Sequence, residues 1–512
     1  MEKEYRKELF NYINGIVVIP TLKSFYELNI FNYMKTADSF SINDIINNFK
    51  VNPGYINVSL RTLLSIKLLY KKDDLYFVDY DILNCILEYE EKIKLCSDLN
   101  QYFTEFESNI STNLQPESKI INLFKSCNDI FDDFKNTNTN DNFEITLRKY
   151  IIGSIAGPLL SNIGFIDKSI NNFKSKCPEL NVFINSILVT IGLINNNLTL
   201  TDKGLFFNNR LSSFGVTTSY LPLLNNLTNV LTTNTNFIRE HNSNGDEKHV
   251  NRKMNVWGSG GAHKFYFKKI DNIILNIFNS KIEEQPKGII DIGCGDGTFL
   301  EHCYNLITIQ TIRKNYLKEY PIMLIGVDIN KAARIATRNK LNKSNIDNIV
   351  INGNISDPDS INKTILNEYN VNLEDFVNTR TFLDHNRIYS NPKEIKFNNI
   401  YSSGTFAFKG KIINNEKLLN NLIEHFSKWQ KYIHKHGLII LELHTINTDI
   451  TANNQDSLLS CSYDATHGYS DQYLVEYDIF VKCASLANMQ LSIESDLFPN
   501  KENPTISINY FI

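Results

Sequence analysis

The run GIIDIGCGDGTFLE, from Gly288 to Glu301, constrains this chain more than any other. Its first five residues, Gly288 to Ile292, form an apolar run, broken only by Asp291, of the kind that makes a strand buried on both faces. Glycines then stand at alternate positions, Gly293, Gly295 and Gly297, before Thr298, Phe299 and Leu300 open a helical pattern. Strand, glycine turn and helix together form the opening unit of a nucleotide-binding α/β fold. The dinucleotide fingerprint G-x-G-x-x-G, which faces pyrophosphate, is not met. The order is instead Asp291-x-Gly-x-Gly-x-Gly, with Asp296 inside the turn, where a carboxylate repels phosphate. A ligand with an adenosine and an ammonium but no phosphate suits this turn. That describes S-adenosylmethionine, its amino group near Asp291 and its adenosine against bare glycine backbone.

Two further acids extend the pattern. PIMLIGVDIN is a second buried strand ending at Asp328, whose carboxylate suits ribose hydroxyls, with Ile329 next to it. NIVINGNISDP is a third strand followed by Asp357, suited to an adenine amino group. The competing reading of Asp328 and Asp357 is helix capping. Together these motifs predict an α/β, Rossmann-like, seven-stranded class I methyltransferase core. VNTRTFL is expected as the fourth strand, beside the first, presenting Phe382 and then Asp384, His385, Asn386 and Arg387. HGLIILELHT is the fifth, ending in Glu442, His444 and Thr445, and a loop with His467 and Gln472 follows. QLSIESDLFP and PTISINYFI complete the sheet. Ligands of open α/β sheets bind outside the carboxyl ends of the strands, so these polar ends are the expected reaction rim.

A chain of 512 residues exceeds one domain. The expected divisions are a winged-helix-like domain over 1–99, a helical and loop connector over 100–148, a second winged-helix-like lid over 149–250 and the methyltransferase core over 251–512. The first two winged regions align as a repeat, LRTLLSIKLLYKKDDLYFVDYD with INSILVTIGLINNNLTLTDKG. Their recognition helices are apolar and the net charge is −4, so a scaffold, dimer surface or lid is expected rather than a nucleic-acid contact. Eight scattered cysteines without a C-x-x-C pair read as reduced thiols. The charged start MEKEYRKELF and the lack of a long uncharged apolar run lead to expectations of no membrane span and a cytoplasmic location. Trp257 and Gly258 open the segment WGSGGAH, which has two readings: a flexible flap over the cofactor, or an interdomain hinge with a buried Trp.

WGSGGAH, QPKGIIDIGCGDGTFLE, IGVDINKAA, FLDHNR, HGLIILELHT and YDATHGYSDQYLVEYDIF resemble, in that order, the carbon-methylating domains of polyketide synthases, especially apratoxin-type loading-module methyltransferases. The resemblance implies methyl transfer from S-adenosylmethionine to the α-carbon of a malonyl- or β-ketoacyl-type thioester held on an acyl carrier protein. It also implies one metal ion of iron or manganese type, bound by position through His444 and Gln472. No synthase or carrier domain accompanies this chain, so the carrier is expected in trans.

Carbon methylation needs a base for an α-proton and a partner for the enolate oxygen. His444 is the first candidate base and His467 the second, with His385 and Arg387 on the carbonyl or carboxylate. The cofactor set expected from sequence and resemblance is Trp257, Gly258, Asp291, Gly293, Gly295, Gly297, Asp328, Ile329, Asp357 and Phe382. Two other functions fit the same motifs: an O- or N-methyltransferase of a small metabolite, and a cofactor-sensing winged-helix regulator.

Overall fold

A computed structural model of the chain describes residues 1–111, 117–243, 245 and 247–512. Residues 112–116 of the expected connector, and 244 and 246 of the polar stretch before the core, lie outside the described residues. Two compact units result. The first holds Met1–Gly261 with Ala407–Ile412 and Asn447–Asp471; the second holds Ala262–Phe406, Ile413–Ile446 and Gln472–Ile512.

In the first unit α1 (Glu2–Glu27) leads to α2 (Ile42–Phe49) and α3 (Pro53–Ser65), then to a hairpin of β1 (Leu69–Lys72) and β2 (Leu75–Val78). Ser41 and Asp44 form the capping box that starts α2, each side chain satisfying the other's backbone N–H. Further on lie α4 (Ser118–Asn136), α5 (Asn142–Asp167), α6 (Pro178–Thr190) and α7 (Asp202–Asn208). The second repeat thus has its helices, but its wing shrinks to a single bridge between Ile194 and Leu200. Helix α3 is no groove-reading helix: most of its residues are buried, and its Arg61 is spent on Asp464 at 2.8 Å.

Helix α5 is long and apolar enough to cross a membrane by composition, with a mean hydropathy of 1.2 over its most apolar window, yet 78% of that window is buried inside the protein. Its burial has a specific cause. Helices α1 and α5 meet at paired glycines: a Cβ on Gly15 would stand 2.3 Å from the Tyr150 carbonyl oxygen, and one on Gly153 2.3 Å from the Tyr12 Cα. Backbone therefore touches backbone. The borrowed segment 447–471 locks onto the same pair through Gln455, which accepts from Asn14 at 3.3 Å and from the Tyr150 hydroxyl at 2.8 Å and donates to the Ser65 carbonyl.

Helix α8 (Arg252–Phe278) is continuous through WGSGGAH, where sequence allowed a flap or a hinge. The second unit then unfolds in order: β3 (Gly288–Ile292), α9 (Thr298–Gln310), β4 (Met323–Asp328), α10 (Lys331–Lys343), β5 (Ile349–Asn352), α11 (Pro358–Tyr369), β6 (Phe376–Thr381), α12 (Asn415–Ile433) and β7 (Leu438–Leu443). After α13 (Ser460–Tyr469), which belongs to the first unit, come β8 (Asp496–Phe498) and β9 (Ile506–Phe511). The seven strands lie in the order β8-β9-β7-β6-β3-β4-β5, with β9 antiparallel to β7 and β8. Strands β3 and β7 are buried at every residue, as a sheet covered on both faces requires. The chain runs from β3 outward to β5 and then returns to β6 on the other side of β3, so the strand order switches beside β3. The seven-stranded core expected from the motifs is the observed one, with the fourth strand beside the first.

The glycine crossing is directly testable. Gly153→Val should lower stability by about 3 kcal/mol or more, because a side chain has no room between the two backbones. Gly260→Ala, where a Cβ in α8 would meet no atom within 4 Å, should instead leave the melting temperature unchanged or raise it slightly.

Candidate functional site

The carboxyl ends of β3, β4, β6 and β7 gather the groups of interest in the second unit. After β3, Gly293, Gly295 and Gly297 all have positive φ, +81°, +55° and +79°, values that a side chain makes costly. A Cβ on Gly293 would strike Leu383 at 2.8 Å, and one on Gly297 would press on Thr337 at 3.0 Å. On Gly295 it would meet nothing within 4 Å, so that backbone faces open space. Asp296 is turned back onto its own turn and the following helices. It accepts from the Thr298 N–H at 3.0 Å and pairs with Lys340 at 2.9 Å, and these partners outweigh burial and hold its carboxyl below the usual range.

Asp328 closes the other wall. One oxygen accepts from the Gly295 N–H at 3.2 Å and the other from the Asn330 N–H at 2.8 Å. Two backbone donors thus fix the carboxylate at the strand end. Ile329 beside it is 60% exposed. Asp291 is buried, accepting from the Thr379 hydroxyl at 3.0 Å. Burial pushes its carboxyl up to about 7, with Thr379 partly offsetting and Asp328 adding to the rise. Asp357 performs the alternative task foreseen for it: it caps α11 by accepting from the Ser360 N–H at 3.1 Å. Phe382 sits in a left-handed conformation (φ +55°), its N–H donating to the Leu441 carbonyl at 2.7 Å.

Trp257 and Gly258 belong to the first unit and pack there. The Trp257 ring lies edge-on to Phe165, with centroids 5.7 Å apart, and a Cβ on Gly215 would stand 2.7 Å from the Gly258 Cα. His467, also in the first unit, directs Nδ1 to the Tyr463 carbonyl at 2.7 Å.

At the ends of β6 and β7 one pair stands out. His385 Nδ1 lies 2.5 Å from Glu442 Oε1, and the His385 backbone N–H donates to Oε2 at 3.1 Å. With Nδ1–H donating to the carboxylate, the tautomer in place carries its lone pair on Nε2. The Tyr473 N–H in turn donates to the His385 carbonyl at 2.8 Å. Beneath this pair, Asp384 is buried between Arg380 at 2.5 Å and His425 at 2.9 Å. Burial alone would raise the Asp384 carboxyl, but the Arg380 charge and the His425 bond hold it well below the usual range. Arg387 is buried with Nε on Asn421 at 2.9 Å and Nη1 on the Asp384 carbonyl at 2.9 Å, while Nη2 has no hydrogen-bond partner among the described residues.

His444 is placed differently. Its Nδ1 meets the Val475 carbonyl at 3.1 Å and its Nε2 the Ser507 hydroxyl at 2.7 Å, and Asn509 donates to that hydroxyl at 2.6 Å. Both ring nitrogens are committed, and burial pushes the imidazole down to about 3. Such a ring offers neither a base nor a metal-ligating nitrogen. Among the described residues no group of three or more His, Cys, Asp or Glu side chains is arranged to hold a metal. With both His444 nitrogens engaged, the pair His444 and Gln472 does not fit the implied ion.

Sequence reading passed over the partnership of Glu442 with His385. A signal existed: Glu442 is the one charged residue inside the apolar run LIILEL, and a buried carboxylate demands a partner.

Residues 247–509 match the family described as AprA MT2-like domain, residues 5–71 the AprA N-terminal domain and residues 153–234 the AprA winged helix domain. The winged-helix description thus falls on the second repeat. No curated protein matches the chain. Among solved structures it is similar to an O-methyltransferase family 2 protein from Planctomyces limnophilus in complex with apigenin, at 9% identity over 99% of this chain and 95% of that one, TM-score 0.38. It is also similar to a putative O-methyltransferase from Nostoc punctiforme, at 10% identity over 73% and 100%, TM-score 0.43. A third is human N-acetylserotonin methyltransferase in complex with the same sulfonium donor, at 10% identity over 73% and 99%, TM-score 0.37.

The buried Asp291 carboxyl gives a pH signature. Its folded pKa of about 7 exceeds the ordinary carboxyl value of 3.8, so the folded chain holds a proton that the unfolded chain releases between those values. Its contribution to stability therefore falls as pH rises from about 4 to 7 and is flat above. Asp291→Asn should match the parent near pH 4 and be more stable by about 1–3 kcal/mol above pH 7, as read by thermal unfolding at each pH.

Proposed function

The chain belongs to the family of AprA MT2-like methyltransferase domains, and on that footing we propose that this S-adenosylmethionine-dependent methyltransferase methylates the α-carbon of an acyl thioester presented by an acyl carrier protein in trans. The observation that carries the reading is the His385–Glu442 pair at 2.5 Å, beside the turn of Gly293, Gly295 and Gly297. When bound, the sulfonium cofactor supplies an electrophilic methyl group. Asp328 holds the ribose hydroxyls, and Gly295 presents bare backbone to the adenosine side. His385 takes the α-proton at Nε2, while Glu442 fixes the tautomer and offsets the charge that the imidazolium acquires. The Arg387 guanidinium, whose Nη2 has no hydrogen-bond partner among the described residues, receives the developing enolate oxygen or an acceptor carboxylate.

Labelled cofactor offered with carrier-bound malonyl and β-ketoacyl groups, and in parallel with small phenols and amines, tests the acceptor. Label on the acyl carbon supports the reading; label confined to oxygen or nitrogen of the free metabolites replaces it with small-molecule O- or N-methylation. Two variant sets test the roles. His385→Ala should cut kcat by about 10²–10⁴-fold with cofactor affinity near normal, and Glu442→Gln should cut it by about the same factor. Asp328→Ala should instead weaken cofactor binding by about 1–3 kcal/mol, measured by calorimetry.

A further inference from the structure

We propose that the first unit carries a second small-molecule site, separate from the cofactor crevice, for an organic anion with an apolar body. The site is a cleft of about 380 Å³ between α1, α4 and α5, closed by the ends of α6 and α7, a volume typical of small-ligand pockets. Its walls are apolar where they are deepest: Tyr12 and Phe131 are each 1% exposed, and Phe134 and Ile152 continue the surface.

The charges around this floor do not balance. Glu8 is the one acid among the lining residues, and it is consumed by the Tyr12 hydroxyl and by Lys203, whose ammonium stands 2.5 Å away and also donates to the Ile191 carbonyl at 2.7 Å. Arg148 is likewise spent, on Glu144 at 2.5 Å and the Thr137 carbonyl at 2.7 Å. That leaves Lys135 on α4 and Lys149 on α5, which line the same cleft and have no ion-pair partner among the described residues. Lysines on open surface are ordinary. Two uncompensated ammonium groups flanking an aromatic concavity are complementary to a ligand whose apolar body fills the floor and whose anionic group ends at the rim. A neutral apolar ligand would gain only the floor, and a cation would meet like charge.

Isothermal calorimetry on the full chain, with 1-naphthalenesulfonate as probe and 1-naphthalenemethanol as its neutral counterpart, tests the assignment. The sulfonate should bind about tenfold more tightly than the alcohol, the size expected of two partly exposed charge contacts. Lys149→Glu should weaken the sulfonate by about tenfold or more and leave the alcohol unchanged. Ile152→Trp, which fills the floor, should remove both; Lys149→Glu, at the rim, decides the question if that core variant does not fold. Equal binding of sulfonate and alcohol, sulfonate binding indifferent to Lys149→Glu, or no binding up to the solubility limit would each overturn the proposal.

Discussion

A strand buried on both faces must pass its chain to a helix without leaving backbone groups stranded or side chains in the way. In this protein that constraint falls on five residues after Ile292. The left-handed turn through Gly293, Gly295 and Gly297 lets the Gly293 and Cys294 N–H groups reach the Val327 carbonyl and brings the Gly295 N–H to Asp328. The turn thereby joins β3 to β4 and sets the distance between the two walls of the crevice. Asp296, which looks in sequence like a charge in the path of a ligand, is turned to Thr298 and Lys340 and becomes part of the hinge between turn and helix.

The second unit was legible because its physics is local. Largely apolar runs, each carrying one acid (Asp291, Asp328 and Glu442), mark β3, β4 and β7, and the turn after β3 is set by glycine. The rim was less legible, because partnerships among polar residues are a matter of three-dimensional proximity. His385 and His444 stand alike in sequence, each just past a strand, and His467 was expected in a loop, where the structure has helix α13. Only the fold separates the one bonded to a carboxylate from the two whose Nδ1 is turned to a backbone carbonyl. Asp357 illustrates the same limit from the other side, since a carboxylate before a proline is as good a helix cap as it is a ligand group.

The first unit has at its start the helices and short hairpin that its sequence pattern suggests, yet its principal contact was not visible. Gly15 and Gly153 lie far apart in sequence, and nothing in either helix announces that they face each other; alone, each looks like a helix-weakening residue. WGSGGAH misled for a related reason. Four small residues in a row suggest a loop, but in α8 they allow close approach, with Gly258 against Gly215, and the helix runs on without a break.

The excursions of residues 407–412 and 447–471 into the first unit bear on synthesis. When the first 261 residues have been translated, α1 and α5 can already cross, but Asn14, Tyr150 and the Ser65 carbonyl still await Gln455, almost two hundred residues away. The amino-terminal half therefore matures only after most of the carboxyl-terminal half has been made. A truncation placed at the apparent boundary near residue 250 would yield a fragment with solvent where its closing helix belongs.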